Sequence, residues 1–169
     1  KDLMFIIFER LNTGGKALND MEIRNCMFRG SLNDLIKDLA KNFEFTSSIN
    51  QKKIDERMHD RALVLRFLAF YNSTYQKAKK GLKPFLNEFF ETYKNPTPAR
   101  LAEFKEVFIK SMRACHTIFG DKAFRLRKTS ERDSGQWALK INASVFQVLA
   151  VSFSDYDIGQ LTRAADAIY

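Results

Sequence analysis

From Asp60 to Tyr71 the chain is apolar on nearly every side of a helix. Ala62, Leu63, Val64, Leu65, Phe67, Leu68, Ala69 and Phe70 leave no continuous polar face. A helix of this kind is stable only when other elements surround it, so the rest of the chain has to supply them. Arg66 stands in the middle of the run. A guanidinium there must be paired or must reach a ligand, because an isolated buried charge is costly. Pairing with Asp60 or Glu22 is the expectation.

The enclosing elements read as helices. Leu101, Phe104, Phe108, Met112, Cys115 and Phe119 recur at spacings of three and four, with Thr97 as cap, Pro98 in the first position and Gly120 as the stop. Asn19 with Glu22 three residues later forms a capping box for a helix to about Arg29, and Leu18 is placed to staple onto Ile23. After Gly30, Ser31 caps a helix whose buried stripe is Leu32, Leu35, Ile36 and Leu39. Pro84 opens another that carries Phe85, Leu86, Phe89 and Phe90 to Tyr93. Ile141 to Phe153 follows, with Val145, Phe146, Val148 and Leu149 inward. Asp155 or Asp157 caps a last helix through Leu161 and Ile168.

Residues 3–11 read as a buried helix that ends at Thr13-Gly14-Gly15, a strand being the alternative. With no cap and no initiator Met before it, the chain is read as a fragment that begins inside an element. Residues 41–57 lack periodicity and read as loop. Residues 121–139 are basic and irregular, with a short strand at Ala123-Phe124-Arg125 as one reading. The expectation is one all-α domain over residues 1–169, an irregular bundle of about seven or eight helices. Sixteen Phe against one Trp and seven Gly fit aromatic packing between helices.

Charge is unevenly placed. The net +8 arises in residues 61–128, where fifteen basic side chains face five acidic ones. Lys77, Lys79, Lys80 and Lys83 form one group, and Lys122, Arg125, Arg127 and Lys128 another. Such concentration can attract a polyanion such as DNA, or can be an ordinary solvated face. Every apolar run is shorter than the roughly 18 residues a membrane span needs, so a soluble, cytoplasmic protein without a membrane partner is expected. Cys26 and Cys115 sit in apolar helical patterns and read as buried reduced thiols. His59 and His116 are far apart, each without a ligand cluster, so no metal site is expected.

One segment is chemically dense. Phe8-Glu9-Arg10-Leu11-Asn12-Thr13-Gly14-Gly15 leads through Leu18 into Glu22-Ile23-Arg24-Asn25. The free N–H groups of the helix opened by Asn19 favour an anion, and Arg10 and Arg24 could add bidentate phosphate contacts. The same residues also fit an ordinary Gly-Gly helix stop, a capping box and a surface arginine.

This segment resembles the F-x-R-L-N-x-x-G-x-x-L-x-x-x-E-x-R-N stretch of the ParB/sulfiredoxin-like domain found in GmrSD-type restriction enzymes and related phage-defence proteins. Diffuser similarity runs through Asp60 to Ala69, Lys83 to Asn87 and Ile141 to Phe146. The resemblance implies a nucleoside triphosphate, with or without magnesium, bound and hydrolysed at a composite site, and an HNH-type nuclease domain as partner. It makes this chain the helical part of a larger α/β plus α domain. The family's Asp-Gly-Gln-Gln-Arg signature lies in the N-terminal ParB-like portion and is missing from this chain, so this chain alone is expected to be inactive. By position Phe8, Arg10, Asn12, Gly14, Gly15, Glu22, Arg24 and Asn25 would contribute this half of the nucleotide site. A non-catalytic helical module that binds nucleic acid or an acidic protein is the competing reading, and a purely structural scaffold is the third.

Overall fold

A computed structural model describes residues 6–7, 17–50, 55–73, 81–128 and 135–164. The protein is all-α. Among the described residues eight helices follow in order: α1 (Asp20–Met27), α2 (Ser31–Leu39), α3 (Phe43–Ser48), α4 (His59–Asn72), α5 (Leu82–Thr92), α6 (Pro98–Phe119), α7 (Ala143–Ser154) and α8 (Ile158–Arg163). A 3-10 turn, Gly120–Lys122, follows α6. The described residues hold no strand, only an isolated antiparallel bridge between Arg127 and Trp137. None of their helices is long and apolar enough to cross a membrane.

The apolar run becomes α4, which packs against α1, α2, α5, α6 and α7, while α6 gathers α2, α3, α7 and α8. Phenylalanine rings join these elements. Phe108 of α6 lies 5.1 Å from Phe67 of α4 and 5.4 Å from Phe45 of α3, and Phe146 of α7 lies 6.2 Å from Phe45. Aromatic pairs at such separations add about 0.5–1.5 kcal/mol beyond the area they bury.

Local signals set several boundaries. Asn19 Oδ1 accepts from the backbone N–H groups of Met21 and Glu22, and the Glu22 carboxylate accepts from Asn19 N at 2.7 Å. Thr97 caps α6 with Pro98 in its first turn, and Asn142 caps α7. Other expectations are corrected. Residues 41–57 are not all loop, because Asn42 caps the short helix α3 and Phe45 is fully buried in the ring cluster. Ser31 is the first residue of α2 and makes no cap. The N–H groups of Ser31 and Leu32 donate instead to Asn95 Oδ1 and the Lys94 carbonyl, from the turn between α5 and α6. Val148 faces outward, Cys26 is exposed, and Ile6 and Ile7 are helical but exposed. The rest of residues 3–11 and Ile168 lie outside the described residues.

No strand forms at Ala123-Phe124-Arg125, which is a correction: Ala123 and Phe124 lie in a turn, and the backbone pairing that follows is a short ribbon centred on the isolated Arg127–Trp137 bridge. Asn142 N–H donates to the Phe124 carbonyl, Ala138 N–H to that of Leu126 and Lys128 N–H to Gln136, all within 2.8 Å. Phe124 has φ 65°, a left-handed conformation that costs a bulky residue about 1–3 kcal/mol. Its buried ring, 4.7 Å from Phe146, offsets a cost of that size.

Candidate anion-binding cleft

Five segments meet around a cleft of about 1220 Å³: the start of α1, Ile49 and Asn50 after α3, α4 with the Asp55 to Met58 approach to it, the first turn of α5, and Leu139 to Ala143 with Arg125. From α4 come Asp60 and, along one stripe, His59, Ala62, Leu63 and Arg66. Their spacing of three, four and seven residues puts them on one face of a helix. The helix that looked buried all round therefore keeps one face for the cleft.

Arg66 is half-buried, and burial lowers its pKa. Among the described residues nothing pairs with it or hydrogen-bonds to it. Asp60 accepts from the Arg61 backbone N–H at 2.7 Å, and Glu22 pairs with Arg57 at 3.1 Å. The expected pairing with Asp60 or Glu22 is thus corrected: both carboxylates are engaged elsewhere. Burial lowers the Arg24 pKa, Asp20 works against that, and the nearby positive charge of Arg66 adds to it. Two guanidinium groups therefore repel each other beside the same space.

Around them the charge is mixed. Lys83 pairs with Asp20 at 3.1 Å, and Asp20 lies 3.9 Å from Arg24. Lys140 and Arg125 also line the cleft. Arg125 donates through Nε to the Asp121 carbonyl, through one terminal nitrogen to the carbonyls of Ala138 and Leu139, and through the other to Ile49. These acceptors fix the side chain without neutralising its charge.

At the N-terminus of α4, the Asp55 carboxylate accepts from the backbone N–H groups of Arg57 and His59 and lies 3.2 Å from His59 Nδ1. Burial pushes the Asp55 carboxyl up, but these hydrogen bonds outweigh it and leave its pKa below the ordinary value. Asp20, Asp55 and Asp60 all line the cleft. Among the described residues, however, no group of three or more His, Cys, Asp or Glu side chains is arranged to hold a metal ion.

Of the residues expected at a nucleotide site, Arg24 lines the cleft. Glu22 and Asn25 do not. Glu22 completes the capping box and holds Arg57, while Asn25 Oδ1 accepts from Asn33 and Arg61. Phe8, Arg10, Asn12, Gly14 and Gly15 lie outside the described residues, as do Lys77, Lys79 and Lys80. Of the remaining basic residues, Lys83 and Arg125 reach the cleft, while Lys122, Arg127 and Lys128 lie away from its lining. His59 and Lys140 were not anticipated as site residues. The His59, Ala62, Leu63, Arg66 spacing was the signal that could have found the former.

No family model, curated protein or solved structure matches this chain.

Proposed function

We propose that this chain is the helical half of a composite site for a phosphate-bearing ligand, a nucleoside triphosphate, in a GmrSD-like restriction or phage-defence protein. The observation that carries the reading is Arg66, a partly buried guanidinium without a partner among the described residues, set beside Arg24 in a cleft that Lys83, Lys140 and Arg125 also line. An anionic ligand relieves the repulsion between the two arginines and supplies the acceptors Arg66 lacks. Apolar neighbours such as Met21, Leu63, Leu86 and Ile141 suit the uncharged part of a nucleotide. The F-x-R-L-N resemblance supplies the family, the N-terminal ParB-like portion as the complementary half, and the HNH-type nuclease as a further partner.

Calorimetric titration of the chain with ATP and with inorganic tripolyphosphate tests this. A charge-assisted hydrogen bond contributes about 1.5–3 kcal/mol, so Arg66→Met should weaken binding roughly 10- to 100-fold. Equal binding by the variant, or no binding by the parent chain, sinks the proposal. Turnover above background by this chain alone would contradict the composite site.

A second reading rests on the ribbon. Lys122 and Arg127 are exposed there, close in sequence to the exposed Leu126, which suits contact with a DNA backbone. DNA binding that falls steeply with salt and survives Arg66→Met would favour it.

A further inference from the structure

The ligand face of α4 ends on an imidazole held by a carboxylate. His59 turns Nδ1 toward both oxygens of Asp55, at 3.2 and 3.3 Å. Asp55 is itself fixed by two backbone N–H groups, from Arg57 at 2.8 Å and His59 at 3.1 Å. Nε2, on the other edge of the ring, has no hydrogen-bond partner among the described residues. The His59 side chain is 70% exposed and lines the cleft, so a molecule bound there can approach it.

A carboxylate at Nδ1 keeps the proton on that nitrogen and leaves the Nε2 lone pair outward. His59 therefore offers the cleft an acceptor, where Arg24, Arg66, Lys83 and Lys140 offer donors. Arg66 is two turns further along the same face, about 10 Å by the helical rise. Side chains leave a helix tilted toward its N-terminus, so Arg66 starts back in the direction of His59. A phosphoryl group held by Arg66 would thus have a proton acceptor on the same stripe.

We propose that His59, oriented by Asp55, takes the proton from the water that attacks the bound phosphoryl group; this rests on the phosphate reading of the same cleft. The water oxygen forms a new bond to phosphorus. The bond between phosphorus and the leaving phosphate oxygen breaks, and its electron pair leaves with that oxygen. The water proton passes to Nε2, and the resulting imidazolium stays beside Asp55 until it releases the proton to solvent or to the leaving group.

Histidine-selective nitrogen-15 NMR of the chain is the first test, since the sequence holds two histidines and His59→Gln assigns the pair. Neutral His59 should carry its proton on Nδ1, Asp55→Asn should mix the tautomers, and inorganic tripolyphosphate should move the Nε2 resonance. A dominant Nε2–H tautomer, or a ring unmoved when calorimetry shows the cleft saturated, overturns the proposal. If tripolyphosphate does not bind at all, the phosphate reading itself has failed, and this step with it. In the assembled site, with both halves present, His59→Gln should lower ATP turnover by about 10²- to 10⁴-fold with KM little changed. An unchanged kcat overturns the role.

Discussion

Arg24 and Asn87 join α1 to α5: the guanidinium Nε–H donates to Asn87 Oδ1 at 2.7 Å, and both side chains are buried. The same guanidinium lies 3.5 Å from the Lys83 carbonyl and edges the cleft. Arg24 therefore holds two walls of the cleft together. Asn87→Leu should destabilise the protein by about 1–3 kcal/mol, because a buried donor loses its acceptor. Urea denaturation checks this. Phosphate binding should fall as well, because the α5 wall carries Lys83.

Arg66 should behave in the opposite way. A buried ion pair that loses one partner costs about 3–5 kcal/mol, but Arg66 has no partner to strand among the described residues. Arg66→Met keeps the apolar stem, removes a desolvated charge and relieves Arg24. Its melting temperature should be unchanged or higher, in contrast to its weaker ligand binding. A loss of the full ion-pair size would reveal a partner and remove the ground for the anion site.

How far these features were legible depends on the range of the interaction that sets them. The Asn19–Glu22 box, the Thr97-Pro98 start and the Gly120 stop act within four residues, and the chain displays them directly. Phe43–Ser48 carries Thr46, Ser47 and Ser48, poor helix formers, and what holds it is Phe45 among Phe108 and Phe146, distant in sequence. Ser31 reads as a cap because its residue type suits one. The acceptors in fact come from Lys94 and Asn95, which no local pattern announces. Arg66 was recognisable as a charge needing an explanation, but Asp60 and Glu22 were already engaged, and only the packed structure shows that.

Gly30 is required where those acceptors approach. A Cβ there would lie 2.5 Å from the Lys94 carbonyl oxygen and 2.6 Å from Asn95 Oδ1. Gly30→Ala must push the α5–α6 turn off the start of α2 and lose its cap. A destabilisation greater than about 1 kcal/mol is expected, against about 1 kcal/mol for Asn95→Ala. Denaturation midpoints of the two variants order them, and equal stability of Gly30→Ala and the parent would refute the close approach.

The two thiols should separate by reactivity and by pH. Cys26 is exposed, while Cys115 is buried and its pKa is pushed up from 9.0 to about 12 by burial, against a smaller opposing effect of Ser111. A maleimide should label Cys26 in the native protein and Cys115 only after unfolding. Because the folded state holds the Cys115 proton more tightly, its contribution to stability is complete below pH 9.0 and is lost as pH rises toward about 12. The stability difference between the parent and Cys115→Ala should shrink over that window.

Arg125 and Arg127 are two residues apart on a basic stretch but should fail differently. Arg125 fastens the ribbon to the end of α6 and to Ile49 through carbonyl acceptors, whereas Arg127 is exposed. Arg125→Ala leaves those carbonyls without their donor, so the Ala138 and Lys128 amides should exchange hydrogen faster as the ribbon loosens. Arg127→Ala should leave exchange unchanged. If the ribbon meets DNA, Arg127→Ala should reduce the log–log salt slope of binding by about one phosphate, near 0.9. A loss of DNA affinity confined to Arg125→Ala, together with faster exchange, would instead trace the effect to ribbon geometry and leave no direct phosphate contact at Arg127.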